Sequence, residues 1–324
     1  MPESDPLNST KGQSFLGMPV TKKTLSALQQ AIVEYGRDVF LYHGDISRNG
    51  YNRLSDLVGA VSQRKEKVCL ILSTNGGDAG AAYRIARALK YYYTDFDMLV
   101  PSLAKSAGTL LVIGADRVIL GDRGELGPLD IQLSRPDEFL ERMSGLGILQ
   151  AVNSVEVGIF NAFKKYFVHL ISESGMRTRM AVDIAVDLAK NCYEPIAAKV
   201  DPLTLGEHQR AINIAVAYGE RLNECSKNLK GNALQRLVAD YPCHDFAIDR
   251  REARGLFEKV YAPHEASEGA DIKMLCQGVY KVIQELNATP SMPIVENVSL
   301  HIAEQLGRFS SEHDNDDELG DKPS

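Results

Sequence analysis

Two short segments hold residues whose types and spacing suit acyl transfer. The first is Ser73-Thr74-Asn75-Gly76-Gly77-Asp78, and the second is Ala104-Lys105-Ser106-Ala107-Gly108-Thr109. Consecutive glycines let the backbone approach a ligand closely and turn its N–H groups toward it. A serine at a helix start sits where unpaired N–H groups and the positive end of the helix dipole gather. The pair of segments therefore nominates Ser106 as a nucleophile, with the N–H groups of Gly77 and Ala107 as an oxyanion hole. Each segment alone has a plainer reading. Asn-Gly-Gly is commonly a turn, and a serine at a helix start is commonly a cap. Their order across one strand–helix–strand unit is the more specific signal.

Such chemistry requires both loops to leave the carboxyl ends of neighbouring parallel strands, where open α/β sheets bind their ligands. The apolar patterning supplies those elements. Helices are expected at Thr24–Tyr35, Tyr51–Ser62, Ala79–Tyr92 and Ser106–Ala115, and strands at Asp38–His43, Val68–Ser73, Met98–Val100 and Arg117–Leu120. Short strands alternating with helices predict a parallel α/β sheet with right-handed crossovers. After Pro136 the apolar spacing turns mostly helical, then mixed from Leu237 to Val260. Two closing helices are expected near Ile272–Leu286 and Val295–Gln305. The organisation expected is a disordered segment over 1–22 and a core over 23–136. A helical insertion or arm over 137–230 follows, then the rest of the core with the closing helices over 231–309, and a disordered acidic tail over 310–324.

Composition narrows the function classes. The 324 residues carry a formal net charge of -7 with no basic stripe, which argues against a nucleic-acid partner. The first seventeen residues are polar and lack the apolar region of a signal peptide. The most apolar stretch, Met98 to Ala115, is interrupted by Lys105, Gly108 and Gly114 and is too short for a membrane span. Cysteines at 69, 192, 225, 243 and 276 are odd in number and lack C-x-x-C spacing. Free thiols in a reducing, cytoplasmic compartment fit that pattern. The seven histidines show no metal-ligand spacing, so neither metal nor cofactor is expected. His43, ending the first strand, could face the cleft, although strand-end packing is the plainer reading.

The run Leu70–Asp78, then Val100–Thr109, Gly114-Ala115-Asp116 and Glu125–Asp130, resembles the serine dehydrogenase proteinase family. Asp201–Glu207 with Tyr218–Leu222, and Tyr241–Phe246 followed by Glu252-Ala253, extend the resemblance to about residues 36–260. That family is related to signal peptide peptidase A and to the Clp peptidase. The resemblance implies a Clp/crotonase-like α/β fold of repeated β-β-α units, usually assembled as a homo-oligomer. It also implies a serine peptidase acting on peptides or unfolded protein through an acyl-enzyme on Ser106.

The general base is less plain. In the Clp peptidase a histidine follows the serine by about one helix and one strand. Here that place, Gly127–Gln132, holds Asp130 instead, while His244-Asp245 stands where the Clp aspartate would be. The working triad is Ser106–His244–Asp130, with Asp245 as the alternative acid. A lysine base remains the competing arrangement, with Lys164 or Lys165 as partner; Lys105, adjacent to Ser106, is expected to point elsewhere. A neutral lysine base requires burial, and nothing local marks Lys164 or Lys165 as buried. Two other functions share this scaffold: acyl-CoA chemistry as in crotonases, and an inactive oligomeric scaffold. A Ser-Ala-Gly helix start favours the nucleophile over the former.

Overall fold

A computed structural model describes residues 14–15, 18–19, 22–129, 145–198, 201–266, 272–285, 293–298 and 300–302. Asp130, most of residues 1–21 and the tail beyond 302 lie outside them, and with them the expected disordered ends.

The described residues begin with a ribbon of β1 (Ser14–Phe15) and β2 (Met18–Pro19), then alternate helices and strands. The elements are α1 (Lys22–Tyr35), β3 (Asp38–His43), α2 (Arg48–Gly59), β4 (Lys67–Ser73), α3 (Ala79–Tyr92), β5 (Asp95–Val100), β6 (Leu103–Ala104), α4 (Ala107–Ile113), β7 (Arg117–Leu120) and β8 (Glu125–Leu126). Three long helices follow, α5 (Gly145–Ser172), α6 (Thr178–Ala197) and α7 (Pro202–Ser226). The chain then forms α8 (Ala233–Ala239), α9 (Arg250–Ala253), β9 (Val260–Tyr261), α10 (Ile272–Glu285) and β10 (Ile294–Asn297).

Among the described residues six strands form the main sheet, in the order β10-β3-β4-β5-β7-β9. All neighbours are parallel except β10, which runs antiparallel to β3. The architecture is the expected Clp-like α/β fold. Its central strands are buried on both faces, which explains their continuous apolar runs, such as Val39–Tyr42 and Val68–Leu72. Alternate residues feed two cores. Phe40, Tyr42, Leu70 and Leu72 face α2, α3 and α4. Leu41, Cys69, Ile71 and Leu99 face α1 and α10.

Two element expectations change. Val295 opens no helix: Ile294–Asn297 pairs in register with Phe40–His43. The exposed edge of β3 has backbone groups that need partners, and β-branched Ile294 and Val295 suit that edge. A helix begins only after Asn297, whose Oδ1 accepts from the Leu300 N–H at 3.1 Å. The third strand also starts three residues earlier than its apolar run, at Asp95. Its acidic residues are partnered. Asp97, fully buried, accepts from Tyr35 Oη at 2.5 Å and from Arg117 Nε at 2.8 Å, and pairs with Arg37 Nε at 2.9 Å.

All five cysteines are free thiols. Cys69 and Cys276 are buried, and burial pushes the Cys276 thiol up to about 12. Only thiolate attacks an alkylating agent. Iodoacetamide applied to the folded protein is therefore expected to modify Cys192, Cys225 and Cys243 and to spare the other two. Peptide mass mapping checks this, and adducts at Cys69 or Cys276 before unfolding would contradict the packing.

Candidate active site

The two chemistry-bearing loops leave the carboxyl ends of β4 and β5, adjacent parallel strands. They are then stitched to each other. Thr74 N–H donates to Leu103 O at 2.9 Å, and Lys105 N–H donates to Thr74 O at 3.0 Å. Small strand β6 pairs with β8, which carries the next segment of backbone alongside. Ser106 is thus held by backbone bonds immediately before it.

The Gly-Gly loop is braced from within. Thr74 Oγ1 accepts from Gly76 N–H at 3.0 Å and donates to Gly76 O at 3.1 Å. Ile46 N–H donates to Gly76 O at 2.7 Å, and Asp78 N–H donates to Ile46 O at 2.8 Å. The 76–77 peptide is trans, so the Gly77 N–H points away from Ile46, opposite to the Gly76 carbonyl. Both glycines have positive φ, 122° and 132°. A Cβ on Gly77 would lie 2.2 Å from Ile46 O, and one on Gly76 would lie 3.0 Å from Ser106 Cβ. Backbone conformation and close approach both demand glycine here. Asp78 then starts α3, its Oδ1 accepting from Gly80 and Ala81 N–H.

Ser106 is buried and adopts φ 49°, ψ -113°. This region is strained for any residue with a Cβ, and such strain concentrates at functional sites. A strained serine on a strand-to-helix turn is the geometry of a nucleophile elbow. The plainer cap reading finds no support, because the Ser106 side chain makes no capping bond to α4. Ala107 opens α4, so its N–H lacks an intrahelical acceptor. Gly108 lets α4 sit against the loop: a Cβ there would lie 2.6 Å from Thr74 Cγ2. Thr109 Oγ1 reaches Ala104 O at 2.9 Å and Gly127 O at 2.8 Å, and pins the far side.

The Lys105 ammonium is engaged by three groups. Its Nζ lies 2.8 Å from Glu125 Oε1 and donates to Leu126 O and Phe246 O, each at 3.3 Å. Patterning alone did not reveal this role. Lys105 ties the Tyr241–Phe246 loop, and half-buried His244 with it, to the residue beside Ser106. Ile248 exchanges two backbone bonds with Leu126 and fixes the same loop from its other end. Asp245 is exposed, and Asp130 lies outside the described residues, although Leu129 N–H is anchored on Leu237 O at 2.8 Å.

Three other candidates sit elsewhere. Lys164 and Lys165 are exposed on α5, Lys164 with its Nζ 4.3 Å from the Phe160 ring centroid. His43 is buried opposite Ser73 in register. Its neighbour Tyr42 faces the α4 side, so His43 faces the other side of the sheet, and burial lowers its pKa. Among the described residues no group of side chains is arranged to hold a metal ion, and no helix is long and apolar enough to cross a membrane.

The Gly76 contact makes a direct prediction. In Gly76→Ala the new methyl must displace Ser106 or distort the loop. Acylation of Ser106 by a fluorophosphonate is expected to slow about a hundredfold, the usual effect of misplacing an oxyanion donor. A rate within threefold of the wild type would contradict the geometry.

Comparison with known proteins places the chain. The profile of the ClpP-like SDH-type serine proteinases matches residues 57–218, half of the chain. Two uncharacterized proteins of Methanocaldococcus jannaschii align at 39% identity over 72 residues and 36% over 66. These alignments cover 22% and 20% of this chain and only 25% and 23% of the relatives, about a quarter of their length. Among solved structures, a ClpP1 mutant from Listeria monocytogenes is similar at 14% identity and a TM-score of 0.26, over 31% of this chain and 59% of that one. Another is a mutant of the 1510-N membrane-bound stomatin-specific protease in complex with a substrate peptide. It is similar at 17% identity and a TM-score of 0.29, over 45% of this chain and 65% of that one. Since the profile match takes in both the Gly-Gly loop and the Ser106 turn and spans half the sequence, the chain belongs to the family of ClpP-like SDH-type serine proteinases.

Proposed function

We propose that the protein hydrolyses peptide bonds through an acyl-enzyme on Ser106. The observation that carries this reading is the strained backbone of Ser106, held at the head of α4 against the Gly76–Gly77 loop. A serine with only a packing role has no reason to keep a conformation that costs roughly 1–3 kcal/mol.

In this mechanism Ser106 Oγ attacks the scissile carbonyl carbon as His244 takes its proton. The carbonyl oxygen gains the charge and is held by the N–H groups of Gly77 and Ala107. His244 then returns the proton to the leaving amine, and the C–N bond breaks. Water repeats the cycle on the ester and frees Ser106. Asp130 orients the imidazole, with Asp245 as its alternative. An extended peptide would lie along the free edge of Gly77, whose N–H is turned away from Ile46. A homo-oligomer is the expected state. Its support is the number of exposed apolar side chains on α5–α7, including Phe160, Val168, Met180 and Leu203.

The base is tested by substitution. His244→Gln is expected to lower fluorophosphonate labelling of Ser106 by about 100- to 10,000-fold. Lys164→Ala and Lys165→Ala, on an exposed helix face, are expected to leave it unchanged. Loss of labelling in a lysine variant, with His244→Gln still reactive, would transfer the base role to that lysine.

A further inference from the structure

A second concavity lies on the other face of the sheet. It is a cleft of about 660 Å³ between α10 and the loops that follow β5 and β7. Its volume falls in the range of small-molecule sites. It opens at the carboxyl ends of two parallel strands, the usual ligand side of such sheets. Cys276 in its wall belongs to the core of the α1/α10 face, whereas Ser106 heads a helix on the opposite face.

The lining is basic in an acidic protein. Among the described residues Arg123, Lys273 and Lys281 reach it, against a single acid, Asp122. Asp122 is already committed: Arg250 Nη2 donates to its Oδ1 at 2.9 Å and holds its carboxyl below the usual range. Arg123 instead lies over the Tyr280 ring, 4.7 Å from its centroid. That stacking orients the guanidinium and leaves its N–H edge for a ligand. Lys273 and Lys281 are eight residues apart on one helix, hence about 12 Å along its axis. Gln277 and Tyr280 lie between them. A ligand with anionic groups and a planar body can use both lysines and the Tyr280 ring at once.

The wall also connects to the candidate active site. Arg123 is followed by Gly124, where a Cβ would lie 2.4 Å from Val100 O, and then by Glu125, which pairs with Lys105 at 2.8 Å. Lys105 precedes Ser106. A short, tightly packed strap thus joins Arg123 to the nucleophile.

We infer that this cleft binds a small phosphorylated ligand of the nucleoside diphosphate class, and that its occupancy alters the reactivity of Ser106. The second half rests on the serine-hydrolase reading above; the first does not. Calorimetry of the full-length protein with ADP, adenosine and inorganic pyrophosphate at low ionic strength tests the binding. Saturable ADP binding is expected, with adenosine at least about tenfold weaker and the Arg123→Ala and Lys281→Ala variants each weakened about tenfold. These side chains are exposed, so unchanged melting temperatures will show that the variants fold. No saturable ADP heat, or equal affinity in the Arg123→Ala/Lys281→Ala double variant, overturns the site. So does binding of an acidic phosphopeptide where ADP fails. Saturating ADP is further expected to change the fluorophosphonate labelling rate of Ser106 at least threefold in the wild type but not in the double variant. An unchanged rate overturns the coupling. Failure of Ser106 to label at all is a failure of the hydrolase reading, distinguishable because the calorimetry needs no reactive serine.

Discussion

Ser106→Gly is expected to abolish peptide hydrolysis while making the fold more stable. Removing a nucleophilic serine from such a site lowers turnover by at least about a thousandfold, and by up to about a millionfold. Glycine adopts φ 49°, ψ -113° without the steric penalty of a Cβ. Relief of strain worth about 1–3 kcal/mol, less the entropic cost of glycine of about 0.5–1 kcal/mol, leaves a net gain of about 1 kcal/mol. Ser106→Ala removes the hydroxyl but keeps the Cβ, so it should lose activity without gaining stability. The contrast between the two variants separates strain from chemistry. Hydrolysis of a casein-type substrate and urea midpoints of the three proteins measure both. A Ser106→Gly protein less stable than Ser106→Ala would show that the backbone there is relaxed, and would remove the main support for the nucleophile.

Asp97→Ala is expected to cause the largest loss of stability, from a position remote from the site. The carboxylate is fully buried on the α1/α10 face, opposite Cys69 in register. It answers two guanidinium groups, Arg37 and Arg117, and the Tyr35 hydroxyl. Burial and the Asp97 charge together push the Tyr35 hydroxyl well above its ordinary value, while hydrogen bonding to Asp97 raises Arg117. A guanidinium stays protonated without any partner, so both cations remain charged when Asp97 is removed. Breaking a buried pair in this way costs about 3–5 kcal/mol, because the remaining charge loses its compensation. A fall in melting temperature on the order of 10 °C follows. Asp97→Asn keeps one acceptor oxygen and should lose less. A drop under 2 °C in Asp97→Ala would mean that water already reaches the guanidinium groups.

The same network shows why parts of the fold were hard to read from sequence. Strands β3, β4 and β7 announced themselves as apolar runs between turn residues. The first half of β5 did not, because Asp95 and Asp97 break the run and their partners, Arg37 and Arg117, come from the bend before β3 and the start of β7. Local spacing reads β10 as a helix, because its strand identity depends on the edge of β3, a tertiary demand that spacing does not encode. At the candidate site, Gly76, Gly77 and Ser106 were legible because glycines at positive φ and a serine at a helix start are local signals. The brace formed by Lys105 was not. It depends on Glu125, Leu126 and Phe246, the last of them 141 residues away in sequence. The family profile stops at residue 218, so the His244 loop lies beyond the matched segment. What points to His244 is the proximity of its loop to Lys105, which precedes Ser106.

The central claim is that Ser106 is an activated nucleophile. The most direct measurement is incubation of the wild-type protein with a fluorophosphonate probe, followed by peptide mass spectrometry. The account predicts one phosphonyl adduct, on the peptide containing Ser106, and none in Ser106→Ala. A folded wild-type protein that remains unlabelled, or an adduct on another serine that persists in Ser106→Ala, would contradict it.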